Sequence, residues 1–355
     1  MRLYDLGEVP WLESQLIYHA LPRLGMEGLV LLLPASPYVC IGYHQDAGQE
    51  VDLAYCREHD IPVFRREVGG GAVYLDGDQL FYQLVIRKDN PLVPAGKEAF
   101  YRKFLEPVAK AYTAMGIPAR YRPINDVVTA EGRKISGTGA AEMGDCLVLV
   151  GNIIMDFDYQ TMVRVLKVPD EKFRDKVFKS LRQSLTTIRG ELGAVPPLGK
   201  IKEVLVRSFE GVLGPLERAE LPPQVHAKVR ELIPRLTSEE WLHGVSRRRE
   251  GRRVKVATGV EVVQGVHKAP GGLIRATVVV EGGRLADVSL SGDFFFYPAE
   301  KLAELEETLV GIKLGDVERV IEDFYRRQEI ESPGVSPGDF AKALTVRSFK
   351  RRQGG

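Results

Sequence analysis

The residues best suited to chemistry fall in two short stretches. The first, Arg65-Arg66-Glu67-Val68-Gly69-Gly70-Gly71-Ala72-Val73-Tyr74, sets three consecutive glycines beside two arginines. With no Cβ atoms in the way, a backbone of this kind can approach a ligand closely and turn its N–H groups toward an anion. The guanidinium groups add fixed positive charge suited to a phosphate or a carboxylate. A flexible turn with solvated arginines is the plainer alternative. The second stretch is Asn125-Asp126-Val127-Val128 followed by Gly132-Arg133-Lys134-Ile135-Ser136-Gly137. A lysine between a turn and a strand, next to small residues, can project a point charge into a cleft where a carboxylate or an α-phosphate would sit. A hairpin with an exposed lysine is the alternative here, and the conjunction of the two stretches at strand edges favours a site.

Other chemistries find no support. Between Gly193 and Lys200 the glycines are one residue too far apart for a phosphate loop, and Ile201 stands where a magnesium-binding Ser or Thr is needed. Gly137-Thr138-Gly139-Ala140-Ala141-Glu142 lacks the last glycine of a dinucleotide fingerprint. The six histidines never fall at metal-ligand spacing, and Cys40, Cys56 and Cys146 form neither a CxxC pair nor an even disulfide set. Three scattered cysteines point to a reducing compartment, so the expected location is cytoplasmic.

These stretches need elements to hold them. Helical spacing runs over Trp11–Leu24, 51–59 and Lys97–Met115. Strands are expected at Leu29–Leu33, Tyr38–Tyr43, Ile61–Phe64, Ala72–Tyr74, Leu80–Arg87, Asp126–Thr129, Arg133–Ile135 and Leu147–Met155, with Asp76-Gly77 and Glu131-Gly132 as hairpin turns. Helices and strands interleave without a βαβ repeat, so the fold class is α+β with a mixed sheet. From about Tyr159 the pattern becomes helical and charged. The basic run Arg247–Arg253 marks the expected boundary between a domain of residues 1–245 and one of 246–355. The latter carries a three-strand meander (254–264, 273–281, 284–290) and two helices, Ala299–Val310 and Asp316–Arg327. At 355 residues, two domains are the default. Lys and Arg (49) balance Asp and Glu (48), which gives no electrostatic case for nucleic acid or an anionic membrane. The acidic N-terminus and the short early apolar run, ended by Pro34, argue against a signal peptide or a membrane span.

At these residues the chain resembles the lipoate-protein ligase family, within the biotin and lipoate ligase superfamily. The likeness runs through the Pro10-Trp11 helix, Val39–Gln45, Arg65–Tyr74, Asn125-Asp126 and Gly132–Gly137. It continues through Trp241-Leu242-His243-Gly244 and into Gly292-Asp293-Phe294-Phe295, which is similar to a motif of the family's accessory domain. Where members carry His-Asp and then Gly-Asn after the glycines, this chain has Leu75-Asp76-Gly77-Asp78-Gln79, and where they tend to have His-Gly it has Val150-Gly151-Asn152.

The resemblance implies an α+β catalytic domain with a smaller accessory domain, and a two-step reaction. Lipoate and ATP, with Mg2+, give lipoyl-AMP and pyrophosphate; the lipoyl group then passes to a lysine of a carrier such as a lipoyl domain or an H-protein-like acceptor. Lys134 would be catalytic. Arg66, Gly71, Ala72, Val73, Tyr74, Asn125, Asp126, Lys134, Ser136 and Gly137 would bind ATP or the adenylate, and Gly69, Gly70, Gly71 and Lys134 would contact lipoate. The accessory domain would move about Arg247–Arg253 to cover the nucleotide. An octanoyl or lipoyl transferase of the same superfamily works through a cysteine thioester, but no cysteine occupies the positions those families use. A catalytically silent acyl- or nucleotide-binding homologue is the remaining alternative.

Overall fold

The computed structural model describes residues 1–168, 171–244 and 260–345. Among these residues the strands are, in chain order, β1 (Arg2–Val9), β2 (Gly28–Pro34), β3 (Tyr38–Ile41), β4 (Val63–Arg65), β5 (Val73–Leu75), β6 (Gln79–Arg87), β7 (Ala119–Arg122), β8 (Asp126–Thr129), β9 (Lys134–Met143), β10 (Cys146–Ile154), β11 (Glu217–Arg218), β12 (Val260–Ala269), β13 (Gly272–Glu281) and β14 (Arg284–Gly292). The class is α+β with a large mixed sheet, as the sequence implied. Contacts divide the chain into two units. One comprises Met1–Ile41, Gly48–Val68 and Ala72–Leu242, and the other Gly42–Ala47, Gly69–Gly71 and His243–Gly355. The expected joint, Arg247–Arg253, and the boundary at 245/246 lie outside the described residues.

The first unit is built on an eight-stranded sheet in the order β11-β1-β2-β6-β10-β9-β8-β7, parallel across β11, β1 and β2 and antiparallel elsewhere. On one face lie helices Lys97–Ala114 and Leu198–Leu213. Phe100, Phe104, Val108 and Tyr112 recur along the first at helical spacing, and with Leu205 and Phe209 of the second they close over Leu29, Leu31, Leu84, Leu149 and Ile153. Full burial stabilises each such side chain by about 2–3 kcal/mol relative to exposure. The opposite face takes helix Trp11–Arg23, itself backed by Pro223–Leu236. A small second sheet, β4-β3-β5, completes the unit.

One turn expectation is corrected. Asp76-Gly77 does not close a hairpin, because β5 pairs with β3 in the small sheet while β6 sits between β2 and β10 in the large one. With both edges of β6 taken, none remains for β5, and Asp76-Gly77 is a crossover between sheets. The Glu131-Gly132 turn does form: Gly132 has φ +82° and the Gly132 N–H donates to Thr129 O.

The second unit is a three-stranded antiparallel sheet, β12-β13-β14, covered by helices Lys301–Leu309, Val317–Gln328 and Pro337–Thr345. The third helix was not expected from periodicity. Its signal is a cap: Ser336 and Asp339 bond reciprocally, with Asp339 Oδ2 accepting from Ser336 N at 2.9 Å and Asp339 N donating to Ser336 Oγ at 3.2 Å, and Pro337 follows the cap. Among the described residues, no helix is long and apolar enough to cross a membrane.

Candidate functional site

Lys134 opens β9, directly after the Glu131-Gly132 turn. Its Nζ lies 2.7 Å from Asp126 Oδ1, across the β8–β9 pair in which Asp126 stands opposite Gly137. Asp126 Oδ2 accepts from Arg122 at 2.8 Å. Burial works against the Asp126 carboxylate, but Lys134 and Arg122 outweigh it and hold it below the usual range. The lysine is thus a point charge with a fixed counterion, about one-third exposed. Asn125 clamps the other end of the pair, donating through Nδ2 to Thr138 O while Thr138 Oγ1 donates to Asn125 O. Asn125, Asp126, Lys134, Ser136 and Gly137 therefore lie along the β8–β9 pair, from Lys134 opposite Val128 to Gly137 opposite Asp126.

Ser136 and Gly137 are held from behind. Ser136 Oγ donates to Asn152 O at 2.6 Å and lies 3.0 Å from the Tyr82 hydroxyl. The Gly137 N–H donates to Asn152 Oδ1 at 2.9 Å, so this amide is already engaged within the protein. In sequence Asn152 and Gln79 stand out only as departures from a family pattern. In the structure they form one polar line, with Asn152 Nδ2 donating to Gln79 Oε1 at 2.6 Å and Gln79 Nε2 donating to Tyr74 O and to Asp76 Oδ1, each at 3.2 Å. Tyr74 is thereby tied to the Lys134 group, with Val73 beside it on β5 and Ala72 just before that strand. Burial pushes the Tyr74 hydroxyl up.

The two arginines differ from each other. Arg65, expected to face an anion, is spent on protein: Nε donates to Trp241 O at 2.9 Å and Nη2 to Leu242 O at 2.7 Å, while Trp241 Nε1 donates back to Arg65 O at 2.8 Å. A fork filled by two carbonyls has little left for a phosphate. Arg66 is buried, its N–H donating to Ile41 O and its Nη1 to Cys40 O at 3.2 Å. Both carboxylate oxygens of Glu67 accept from Arg23 Nη2, at 2.8 and 2.7 Å, while Arg23 Nη1 donates to His19 O. Burial opposes its charge, but the guanidinium groups of Arg23 and Arg235 prevail and keep its pKa low.

Gly69, Gly70 and Gly71 belong to the second unit, together with Gly42–Ala47 and Gly292–Phe295. A Cβ on Gly42 would stand 1.9 Å from Gly70 O, and one on Gly69 would stand 2.9 Å from the Phe295 ring, so the missing side chains serve the protein's own packing. Gly70 takes φ +92°, and its N–H points to Phe294 O at 3.5 Å. The phenyl ring of Phe294 stacks on His44 with centroids 5.2 Å apart. All three cysteines are buried thiols, and burial raises the pKa of each, that of Cys56 to about 11. Among the described residues, no three His, Cys, Asp or Glu side chains are grouped to hold a metal ion.

Residues 12–210 match a family model described as the lipoyl protein ligase A/B catalytic domain. Lipoate-protein ligase A subunit 1 of Thermoplasma acidophilum is 30% identical over 221 residues, which cover 59% of this chain and 82% of that protein. Subunit 2 from the same organism is 43% identical over 79 residues, 22% of this chain and 83% of its own length. Octanoyltransferase LipM of Kyrpidia tusciae is 25% identical over 58% of this chain and 82% of that protein. Among solved structures, a bi-partite lipoate protein ligase with its E2 lipoyl domain from Thermoplasma acidophilum superposes with TM-score 0.62 at 29% identity, covering 72% of this chain and 98% of that one. A lipoate-protein ligase A bound with ATP gives TM-score 0.58 at 26% identity over 68% of this chain and 98% of that one.

Proposed function

The chain belongs to the lipoyl protein ligase A/B catalytic-domain family, and from that premise we propose that it is an ATP-dependent lipoate-protein ligase. The family's relatives include both ligases and octanoyltransferases, and the observation that favours the ligase is that Cys40, Cys56 and Cys146 are all buried thiols, while Lys134 is an ammonium pinned 2.7 Å from Asp126 among small residues. In the first step a lipoate carboxylate oxygen attacks the α-phosphorus of ATP. The acyl–phosphate bond forms as the bond to pyrophosphate breaks, and pyrophosphate leaves with that electron pair. In the second step a carrier lysine attacks the acyl carbon, the amide forms, AMP departs, and the surplus amine proton passes to solvent. The protein need supply no nucleophile.

Charge accumulates where two anions meet, and a preorganised cation lowers that barrier most. Lys134 has this role, with Arg66 adding positive charge. Ala72, Val73, Tyr74, Asn125, Asp126, Ser136 and Gly137 line the nucleotide and adenylate, and Lys134 meets the lipoyl carboxylate. Gly137 offers its Cα face, since its N–H is engaged by Asn152. Mg2+ would arrive on the triphosphate, coordinated chiefly by phosphate oxygens and water. The ATP-bound relative supports the nucleotide, and the Thermoplasma lipoyl domain supports a carrier of the lipoyl-domain or H-protein kind. The transferase reading needs an accessible thiolate, and the three buried thiols argue against it.

The test supplies ATP and lipoate without carrier and follows pyrophosphate. Lys134→Ala lowers its release about 100-fold or more, and Lys134→Arg also fails, because a planar fork does not replace a compact ammonium. Undiminished adenylate formation in Lys134→Ala refutes the assignment, and acyl transfer from an octanoyl thioester donor without ATP establishes the transferase instead.

A further inference from the structure

The pairing of β9 with β10 stops short of the site. It runs from Cys146 opposite Met143 to Gly151 opposite Thr138, and the next residues, Asn152 and Gly137, lie beyond it. From Lys134 to Gly137 strand β9 keeps β8 as its ladder partner and parts from β10. Backbone groups left open by such a splay must find other partners, and here side chains bridge the gap. Asn152 Oδ1 takes the Gly137 N–H, Ser136 Oγ reaches Asn152 O, and the Tyr112 hydroxyl accepts from Ile154 N at 3.0 Å and donates to Ile135 O at 2.7 Å.

The Asn152 bridge has a fixed polarity. Every bond runs the same way, from Gly137 N–H to Asn152 Oδ1, from Asn152 Nδ2 to Gln79 Oε1, and from Gln79 Nε2 to Tyr74 O and Asp76 Oδ1. The line ends on a carbonyl and a carboxylate, neither of which donates when Asp76 is ionised, so neither amide can flip without setting acceptor against acceptor. Gln79 is fully buried and Asn152 nearly so, which leaves little water to repair a reversed bond.

We propose that Asn152 and Gln79, anchored on Asp76, are positioning residues that hold the splayed start of β9, and with it Lys134, in the geometry of the acyl-activating step. This rests on the ligase reading for its catalytic half and on the hydrogen-bond line alone for its structural half. Asp78, two residues further along the chain, and Asp158, ahead of helix Tyr159–Val165, are the charged groups that act on Asp76, and the Tyr74 and Tyr55 hydroxyls share this corner. Burial pushes the Asp76 carboxyl up to about 6.

Gln79→Glu tests the line by reversing its polarity at one atom. The introduced carboxylate still accepts from Asn152 but confronts Asp76 and the Tyr74 carbonyl with an acceptor, a conflict relieved when the two carboxyls share one proton. In Gln79→Glu, kcat for pyrophosphate release falls about tenfold or more at pH 8 and recovers at least half of that loss at pH 6, with the KM for ATP little changed, whereas Gln79→Met is impaired at both pH values. In parallel, protein labelled with 15N-glycine gives the Gly137 amide resonance, identified by its loss in Gly137→Ala. In Gln79→Glu this resonance moves with pH between 5 and 8 although the mutated side chain does not touch it. An active wild type with unaltered kcat and pH profile in Gln79→Glu overturns the positioning role. A stationary Gly137 resonance overturns the hydrogen-bond line whether or not the wild type is a ligase. A moving resonance with an inactive wild type keeps the line and removes the ligase reading and, with it, the catalytic role of the two residues.

Discussion

Acidification should loosen the first unit through one ring. His19 has no solvent exposure, its Nδ1 lies 2.6 Å from Gln15 O, and its Nε2 receives the Glu67 N–H at 3.2 Å. A carbonyl on one side and an N–H on the other require the neutral ring with its proton on Nδ1. Burial lowers its pKa from 6.5 to about 4, against the opposing pull of Glu67. The native state therefore resists a proton that the unfolded chain takes up near 6.5, so stability is lost as the pH falls from 6.5 toward 4. That gap corresponds to about 3 kcal/mol over the whole window and about 2 kcal/mol between pH 7 and pH 5. His19→Gln cannot titrate and serves as the reference. Asp76 pulls the other way in part of this window, but it is present in both proteins and cancels. The pairing of Glu67 contributes stability that is lost as the pH falls from its ordinary value of 4.5 toward its lower native one, and it too is present in both proteins. The assay is urea unfolding followed by the fluorescence of Trp11 and Trp241, both in this unit, at pH 7 and pH 5. Wild type should lose about 2 kcal/mol more than His19→Gln. A difference under about 0.5 kcal/mol, or an imidazole titrating near 6.5 in the folded protein, refutes the reasoning.

Two further outcomes follow from the buried groups. Replacing Cys40, Cys56 and Cys146 with Ala should leave ATP-dependent carrier modification within a few-fold of wild type, since buried thiols with raised pKa values are poor nucleophiles; loss of modification in a folded triple variant would restore the thioester route. Asp76→Asn keeps the Oδ1 acceptor but removes a charge whose pKa lies above its unfolded value, so the native aspartate's stability declines as the pH rises from about 4 to about 6. The variant should gain about 3 kcal/mol over wild type at pH 7.5 and about 0.5 kcal/mol at pH 4, and equal urea midpoints at pH 7.5 would contradict the burial argument.

Local chemistry carried most of what was legible in the sequence. Continuous apolar runs marked β2, β6 and β10 because these strands are buried on both faces, and the spacing of Phe100, Phe104 and Val108 marked the long helix. Lys134, Ser136 and Gly137 were found because a charge beside small residues after a turn is a local pattern. Partnership between distant segments was not legible. The assignment of β5 and β6 to different sheets depends on which edges are already taken, and the bond from Asn152 to Gln79 joins residues on adjacent strands that are far apart in the chain. For the same reason Arg65 read as a ligand-binding cation, since nothing near it in sequence announces the Trp241 and Leu242 carbonyls that occupy it. The helix Pro337–Thr345 was within reach, because Ser336-Pro337-Gly338-Asp339 is a capping box with proline at the first helical position.

The reciprocal bond between Arg65 and Trp241 also gives the protein an internal optical probe. The chain holds two tryptophans. Trp11 lies 5.2 Å from the Tyr38 ring, whereas Trp241 donates its indole N–H to the Arg65 carbonyl and lies 5.1 Å beneath the Arg235 guanidinium. An indole excited state is sensitive to a cation above its ring and to the loss of its hydrogen bond, so emission from a Trp11→Phe protein would come from Trp241 alone and would change colour and yield whenever the strand leading into Arg66 shifts. Substrate-induced movement at that strand could then be timed in a stopped-flow instrument, with no dye attached.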